Sequence, residues 1–299
     1  MMRKDITNLK SSFVAISGDN GYELNARFWQ ADDAKALLVL VHGVVSHSEW
    51  MNAIAAPLAQ QGISSLAIDR RGAGLNTQAR GDAPSADALL KDLHAGMQWA
   101  TEQSLPIHLC GFCWGSNYVV NYLTDYNANI ASMLFIAPSL FPAAWIVEQP
   151  FEVGESSEAT QNPIMPIDQF TDGPMFESYI KPDPHRLRKV STRMNSCMQS
   201  FSRGIWMKFL RLRHPCFMLL GEKDSVVDNT ATLQVFDRLP VSIKKCLVLN
   251  ACHGIQFDMP DAAANSIAHW IQTEHLAQAD THTVIQTAPT NTPTSQRDQ

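Results

Sequence analysis

The chain has 299 residues, 45% of them hydrophobic and 17% charged, with a formal net charge of −6. That balance fits a globular protein with a sizeable core, long enough for two average domains or one interrupted core, and it argues against general nucleic-acid binding, which needs surplus cations to displace counterions from phosphates. No run of residues is long enough to span a bilayer, MMRKDITNLK lacks the apolar stretch of a secretory signal, and the expected setting is cytoplasmic, where the six scattered cysteines remain free thiols.

Residues 11–30 read as an antiparallel hairpin at a sheet edge, with SSFVAIS and YELNARFW joined by the turn-forming GDNG. Short apolar runs then alternate with amphipathic stretches: ALLVLVH, a helix near 50–61, ISSLAID, a helix near 85–103, PIHLC, a helix from 115, and SMLFIA. Alternation of this kind signals parallel strands with crossover helices. After Ala137 the rhythm stops for about seventy residues rich in Pro, Met, Phe and Trp, then resumes with PCFMLL, a helix near 228–238, KKCLVLN and a helix near 260–275. The expected organisation is a core of residues 1–137 and 206–276, an inserted cap at 138–205, and a disordered tail at 277–299, whose THTVIQTAPTNTPTSQRDQ offers little apolar surface to offset its ordering entropy.

Gly111-Phe112-Cys113-Trp114-Gly115 lies between a buried strand and a helix and has the glycine-x-nucleophile-x-glycine form of a nucleophile elbow. Gly111 and Gly115 suit a turn so tight that a Cβ at either position would strike its neighbours. A helix N-terminus also favours the thiolate. Two other readings stay open at this point: a buried cysteine in an ordinary tight turn, and a redox pair formed by Cys110 and Cys113, which are spaced C-x-x-C. No second such pair has metal-ligand spacing, so no metal is expected.

Val41-His42-Gly43-Val44 ends the first parallel strand in a loop of the kind that supplies an oxyanion-hole donor. Val44 and Trp114 are the expected backbone N–H donors, and His42 is expected to brace the loop. Asp224 in GEKDSVV is the expected acid, with Asp228 as alternative and helix cap. His253 in ACHGIQFD is the expected base. The order nucleophile, acid, base along the chain is that of α/β-hydrolases.

With these residues in place the chain resembles the α/β-hydrolase superfamily, and within it the monoacylglycerol lipase and lysophospholipase-like branch, through VHGVVSHSEW, AIDRRGAGLN, GFCWGS, GEKDSVV and ACHGIQFD. The resemblance implies the α/β-hydrolase fold: a mostly parallel central sheet with helices on both faces and an inserted cap. It makes Asp69, Arg70 and Gly72 part of a structural loop without a catalytic role. That branch carries serine where this chain has Cys113; cysteine there resembles dienelactone hydrolases, certain thioesterases and acyltransferases.

A cysteine nucleophile forms a thioester, which keeps enough acyl-transfer potential for hydrolysis or for transfer. Phe141 and Trp145 of the cap, and Trp206 at its edge, are candidate contacts for an apolar acyl group, with packing of the cap onto the core as the alternative. From His185 to His214 there is no Asp or Glu, and Arg186, Arg188, Lys189 and Arg193 are candidate docking cations for coenzyme A phosphates or an acidic acyl carrier protein, or else a solvated face. The expected function is an acyl hydrolase, thioesterase or esterase, on a small acyl ester or thioester. The alternatives are an acyltransferase or acyl-cyclising enzyme on the same triad, and a non-catalytic ligand receptor. No cofactor is called for.

Overall fold

In the computed structural model, residues 11–147, 169–273 and 284–287 are described. The apolar runs form one sheet: β1 (Ser12–Ser17), β2 (Glu23–Trp29), β3 (Ala36–Val41), β4 (Ile63–Ile68), β5 (Ile107–Phe112), β6 (Ser132–Ile136), β7 (Cys216–Gly221), β8 (Lys244–Leu249) and β9 (Val284–Thr287). Their order across the sheet is β1-β2-β4-β3-β5-β6-β7-β8-β9. β1 and β2 pair antiparallel, as do β2 and β4, whereas every pairing from β4 through β3 to β9 is parallel. The hairpin therefore ends the sheet, and its turn is a short 3-10 segment in which Asn20 adopts φ 53°.

The central strands read as unbroken apolar runs because both faces are covered. Leu37 and Val39 of β3 join one core, with α2 (Ala86–Glu102), α3 (Trp114–Asp125), α5 (Thr192–Ser202), α6 (Ile205–Phe209) and α7 (Asn229–Arg238). Leu38 and Leu40 join the other, with α1 (Asn52–Gln60), α8 (Ile255–Asp258) and α9 (Pro260–Gln272). All four side chains are fully buried, and burial of each stabilises by about 1.5–3 kcal/mol. Trp270 of α9 stacks on Phe217 of β7, and Phe135 of β6 meets Phe209 of α6 edge-on, so each layer is fixed to the sheet by aromatic contacts.

Within the segment expected to be a disordered tail, residues 277–299, Val284–Thr287 pair in parallel with Lys245–Val248 as a ninth strand. The physical reason is local: β8 would otherwise present an open row of backbone donors and acceptors, and Val284-Ile285-Gln286-Thr287 is the β-branched stretch of that tail. The remainder of the tail lies outside the described residues, as do residues 148–168 in the middle of the expected cap.

Candidate active site

β4 lies on one side of β3 and β5 on the other, which makes the carboxyl ends of β3 and β5 the topological switch point where open α/β sheets form their crevice. Cys113 stands there, between the end of β5 and the start of α3, with φ 50° and ψ −125°. A positive φ is costly for a residue with a Cβ, and this one is held by hydrogen bonds. The Cys113 N–H donates to Ile136 O at 3.0 Å, and its carbonyl accepts from Ser116 and Ser139 N–H at 3.0 and 3.1 Å. The flanking glycines are sterically required: a Cβ on Gly111 would lie 2.6 Å from Ser116 Cα, and one on Gly115 would lie 2.3 Å from Val41 O.

The loop after β3 crosses in front of this turn, where a Cβ on Gly43 would approach Cys113 Cβ to 3.1 Å. His42 Nε2 accepts from the Arg70 backbone N–H at 2.9 Å, so Nδ1 carries the proton and donates to Gly43 O at 2.7 Å. Burial, followed by the charge of Arg70, pushes His42 well below its ordinary value and keeps it neutral. The Gly43 carbonyl also accepts from Arg70 Nη1 at 3.2 Å. Because a trans peptide sets its N–H opposite its C=O, fixing that carbonyl aims the Val44 N–H the other way. Trp114 occupies the first turn of α3, where backbone N–H groups lack intrahelical partners.

Asp224 and His253 enter from the ends of β7 and β8. The two loops are drawn together because Glu222 and Lys223 N–H donate to Leu249 O and Ala251 O at 2.8 and 2.9 Å, and Gly221 leaves room for Cys252 O, 2.4 Å from where its Cβ would stand. Asp224 Oδ1 accepts from Val226 and Val227 N–H, at 2.8 and 3.2 Å, while Oδ2 accepts from His253 Nδ1 at 2.8 Å. Both side chains are buried. Burial works to discharge His253, but the negative charges of Cys113 and Asp224 beside it win and raise it to about 10. Nε2 has no hydrogen-bond partner of ordinary geometry, and the charge of Cys113 is the largest of the influences that raise the imidazole. Asp228, the alternative acid, caps α7 by accepting from Ala231 N–H at 2.9 Å.

Cys110 belongs to the core on the α1 and α9 face, whereas Cys113 packs against the opposite core. Burial drives the Cys110 thiol far above its ordinary value. Asp172, Cys252 and Asp258 gather beside His253 with ligand atoms within 4.8 Å of one another. Their polar atoms serve the loop: Asp258 accepts from Cys252 N–H at 2.7 Å and from the Thr171 hydroxyl, and Asp172 faces Lys223 at 3.5 Å.

The remaining expected contacts fall in varied places. Phe141 is half-buried against the core, and its carbonyl accepts from Asp228 N–H at 2.8 Å. Trp206 on α6 is 40% exposed. Trp145 falls in α4 (Ala144–Val147), and its side chain lies outside the described residues. Among the docking cations, Arg188 and Lys189 are exposed and Arg186 is half-buried, whereas Arg193 is engaged by Asp82.

Three features escaped the sequence reading. Phe170 meets the His253 ring edge-on at 4.9 Å, and its carbonyl accepts from Gly254 N–H at 2.5 Å. Asp183 is buried between His47 Nε2, at 2.7 Å, and Trp50 Nε1, at 2.6 Å, and pins the 181–190 segment onto the loop after β3. Burial would raise Asp183, but the His47 hydrogen bond and charge prevail and hold it near 2. Arg70 grips the loop of Gly43 and Val44; its place just past the carboxyl end of β4, on the side of the sheet where ligands bind, was the available signal.

The family model described as Hydrolase_4, serine aminopeptidase, S33, matches residues 32–260. Over 247 residues the chain is 25% identical to an uncharacterized abhydrolase domain-containing protein of Dictyostelium discoideum, covering 79% of this chain and 26% of that protein. The chain thus spans about a quarter of the length of that curated relative. Among solved structures, a soluble variant of monoglyceride lipase from Saccharomyces cerevisiae in complex with a substrate analog superposes with a TM-score of 0.76 at 15% identity, over 89% of this chain and 95% of that one. Monoacylglycerol lipase from Paleococcus ferrophilus gives 0.70 at 18% identity over 83% and 98%. A thermostable carboxyl esterase from Bacillus coagulans in complex with glycerol gives 0.72 at 16% over 90% and 100%. These likenesses establish the α/β-hydrolase fold.

Proposed function

The chain belongs to the serine aminopeptidase S33 hydrolase family, and from that premise we propose that it is an acyl hydrolase that cleaves ester or thioester bonds with Cys113, His253 and Asp224. The observation that carries the reading is the buried 2.8 Å contact between His253 Nδ1 and Asp224 Oδ2, with the imidazolium held to about 10 beside a cysteine at a strained strand-to-helix turn. No part of a simple structural histidine requires that convergence.

In this mechanism the Cys113 thiolate attacks the acyl carbon, and the carbonyl electrons move onto oxygen, where the Val44 and Trp114 N–H groups stabilise the charge. Collapse breaks the bond to the leaving group, which departs with the proton from His253 Nε2. The acyl group is now a thioester on Cys113. Neutral His253 then takes a proton from water as it attacks; the second collapse releases the carboxylic acid and restores the thiolate and imidazolium. Asp224 keeps the imidazole in the tautomer that allows both transfers.

The fold likeness to monoacylglycerol and carboxyl ester hydrolases supports ester substrates. The apolar residues of the 138–205 segment, which we read as a cap, support an apolar acyl group, and Phe170 on the His253 ring ties that segment to the catalytic centre. Lys189 and Arg188, whose Nη2 donates to Asp183 O at 3.0 Å, are the exposed cations that would meet the phosphates of a coenzyme A or carrier-bound donor. The test is product analysis after incubation with paired esters and thioesters of several acyl lengths, with and without added amine or alcohol acceptors. Free acid as the product supports hydrolysis, acyl-acceptor conjugates would move the reading to transfer, and no consumption of any donor would refute it.

A further inference from the structure

Arg70 is buried, with 4% of its surface exposed, and among the described residues no carboxylate pairs with it. Its neighbour Asp69 is committed elsewhere, to the Ser48 and Leu75 N–H groups at 2.6 and 2.9 Å. A buried guanidinium without a carboxylate partner is among the costly features of a fold, and a cost of this kind beside a nucleophile points to function. Its hydrogen bonds show what the charge reaches. Nη1 donates to Gly43 O at 3.2 Å and Nη2 to Val44 O at 3.0 Å, and the guanidinium lies 5.3 Å from the centre of the Trp114 ring.

We propose that Arg70 is a positioning residue for acyl transfer: it polarises the Gly43–Val44 peptide and so strengthens the Val44 N–H as a donor to the developing oxyanion. Gly43 O receives two donors, Arg70 Nη1 and the neutral His42 Nδ1–H. Withdrawing electron density at a carbonyl strengthens the N–H of the same amide, as in any hydrogen-bonded chain. The effect is greatest when negative charge forms on the substrate oxygen. The inference rests on the proposed Cys113 chemistry and on Val44 as an oxyanion donor.

The test compares two reactions of Cys113 in the full-length protein, each located by peptide mass spectrometry. Acylation by p-nitrophenyl acetate develops an oxyanion. Alkylation by iodoacetamide, read at the plateau of its pH profile, needs the thiolate and no oxyanion hole. Arg70→Met should slow acylation by about 10- to 100-fold, short of the loss of a direct donor, while alkylation stays within about threefold. Arg70→Lys, which keeps the charge, should recover part of the acylation rate. Equal losses in both reactions would make Arg70 merely structural, and no loss in either would make it a bystander; both overturn the proposal. Should Arg70→Met fail to fold, the acylation-to-alkylation ratio of Arg70→Gln against Arg70→Lys decides, and equal ratios overturn the proposal. Wild-type protein that takes iodoacetamide on Cys113 but no acetyl group would instead sink the nucleophile reading itself.

Discussion

Asp224→Asn isolates the role proposed for Asp224 as the acid, because it changes charge and donor pattern while leaving the shape almost intact. The introduced amide can still accept from Val226 and Val227 N–H through its one oxygen, as Asp224 Oδ1 does at 2.8 and 3.2 Å. That leaves its NH2 facing His253 Nδ1, where Oδ2 now sits at 2.8 Å. Two donors cannot bond across that distance, so the imidazole must carry its proton on Nε2 and can no longer accept one there. In a serine-based triad a change of this kind costs about four orders of magnitude. Cysteine ionises more readily than serine, so a fall in kcat of roughly 10²- to 10³-fold is expected. Stopped-flow acylation with an activated ester measures it, alongside urea unfolding to show that the fold is retained. Asp228→Ala is the control. It removes a helix cap, at about 1 kcal/mol, and should leave acylation unchanged. Retention of more than about a tenth of the wild-type rate by Asp224→Asn, where loss of a triad member normally costs far more, or inactivation by Asp228→Ala in its place, would refute the assignment.

Cys110→Ala should keep most activity, measured by ester turnover, because its thiol lies in the opposite core from Cys113; inactivation, or a disulfide between the two that tracks activity, would favour redox chemistry. Asp183→Ala strips the partner from His47, Trp50 and the His185 N–H and should cost about 3–5 kcal/mol in chemical denaturation; a loss below about 1 kcal/mol would show that the buried pair contributes little. The pH dependence of stability follows from His253, whose proton is held in the folded state to about 10 against an ordinary 6.5. At His253 the folded state thus binds more protons than the unfolded state, so the stability contributed by His253 is complete below 6.5 and is lost as pH rises through 10. Cys113→Ala removes the strongest of the upward influences and should lower the His253 titration followed by NMR; an unchanged titration would show that the two groups are not coupled.

Much of the architecture was legible because β3, β5, β6 and β7 are buried on both faces and so write themselves as continuous apolar runs. Helix limits followed from caps and spacing: Ser85 and Asp228 each accept a hydrogen bond at the starts of α2 and α7. The tight turn at residues 111–115 was legible for a different reason, since Gly111 and Gly115 record a close backbone approach that a sequence pattern can carry. Contacts without a period were not. His47 and Asp183 are 136 residues apart, and neither position has a neighbouring pattern that names the other. Arg70 lies in a loop that reads as structural, and only its hydrogen bonds reveal a grip on the Gly43 and Val44 carbonyls. β9 has no sequence signal of its own, because Val284–Thr287 is a four-residue stretch within a polar tail and pairs with an open edge. The acid-free run from His185 to His214 looked uniformly available, but Arg193 meets Asp82, which lies 111 residues earlier.

The central claim is a covalent acyl group on Cys113. The most direct measurement is acid-quenched peptide mass spectrometry of the full-length protein after brief exposure to a slowly hydrolysed acyl thioester, run on wild type, Cys113→Ala and His253→Ala. The account predicts an acyl adduct confined to the peptide containing Cys113 in wild type, none in Cys113→Ala, and strongly delayed loading in His253→Ala. Turnover by Cys113→Ala, or an adduct carried by another residue such as Cys252, would contradict it.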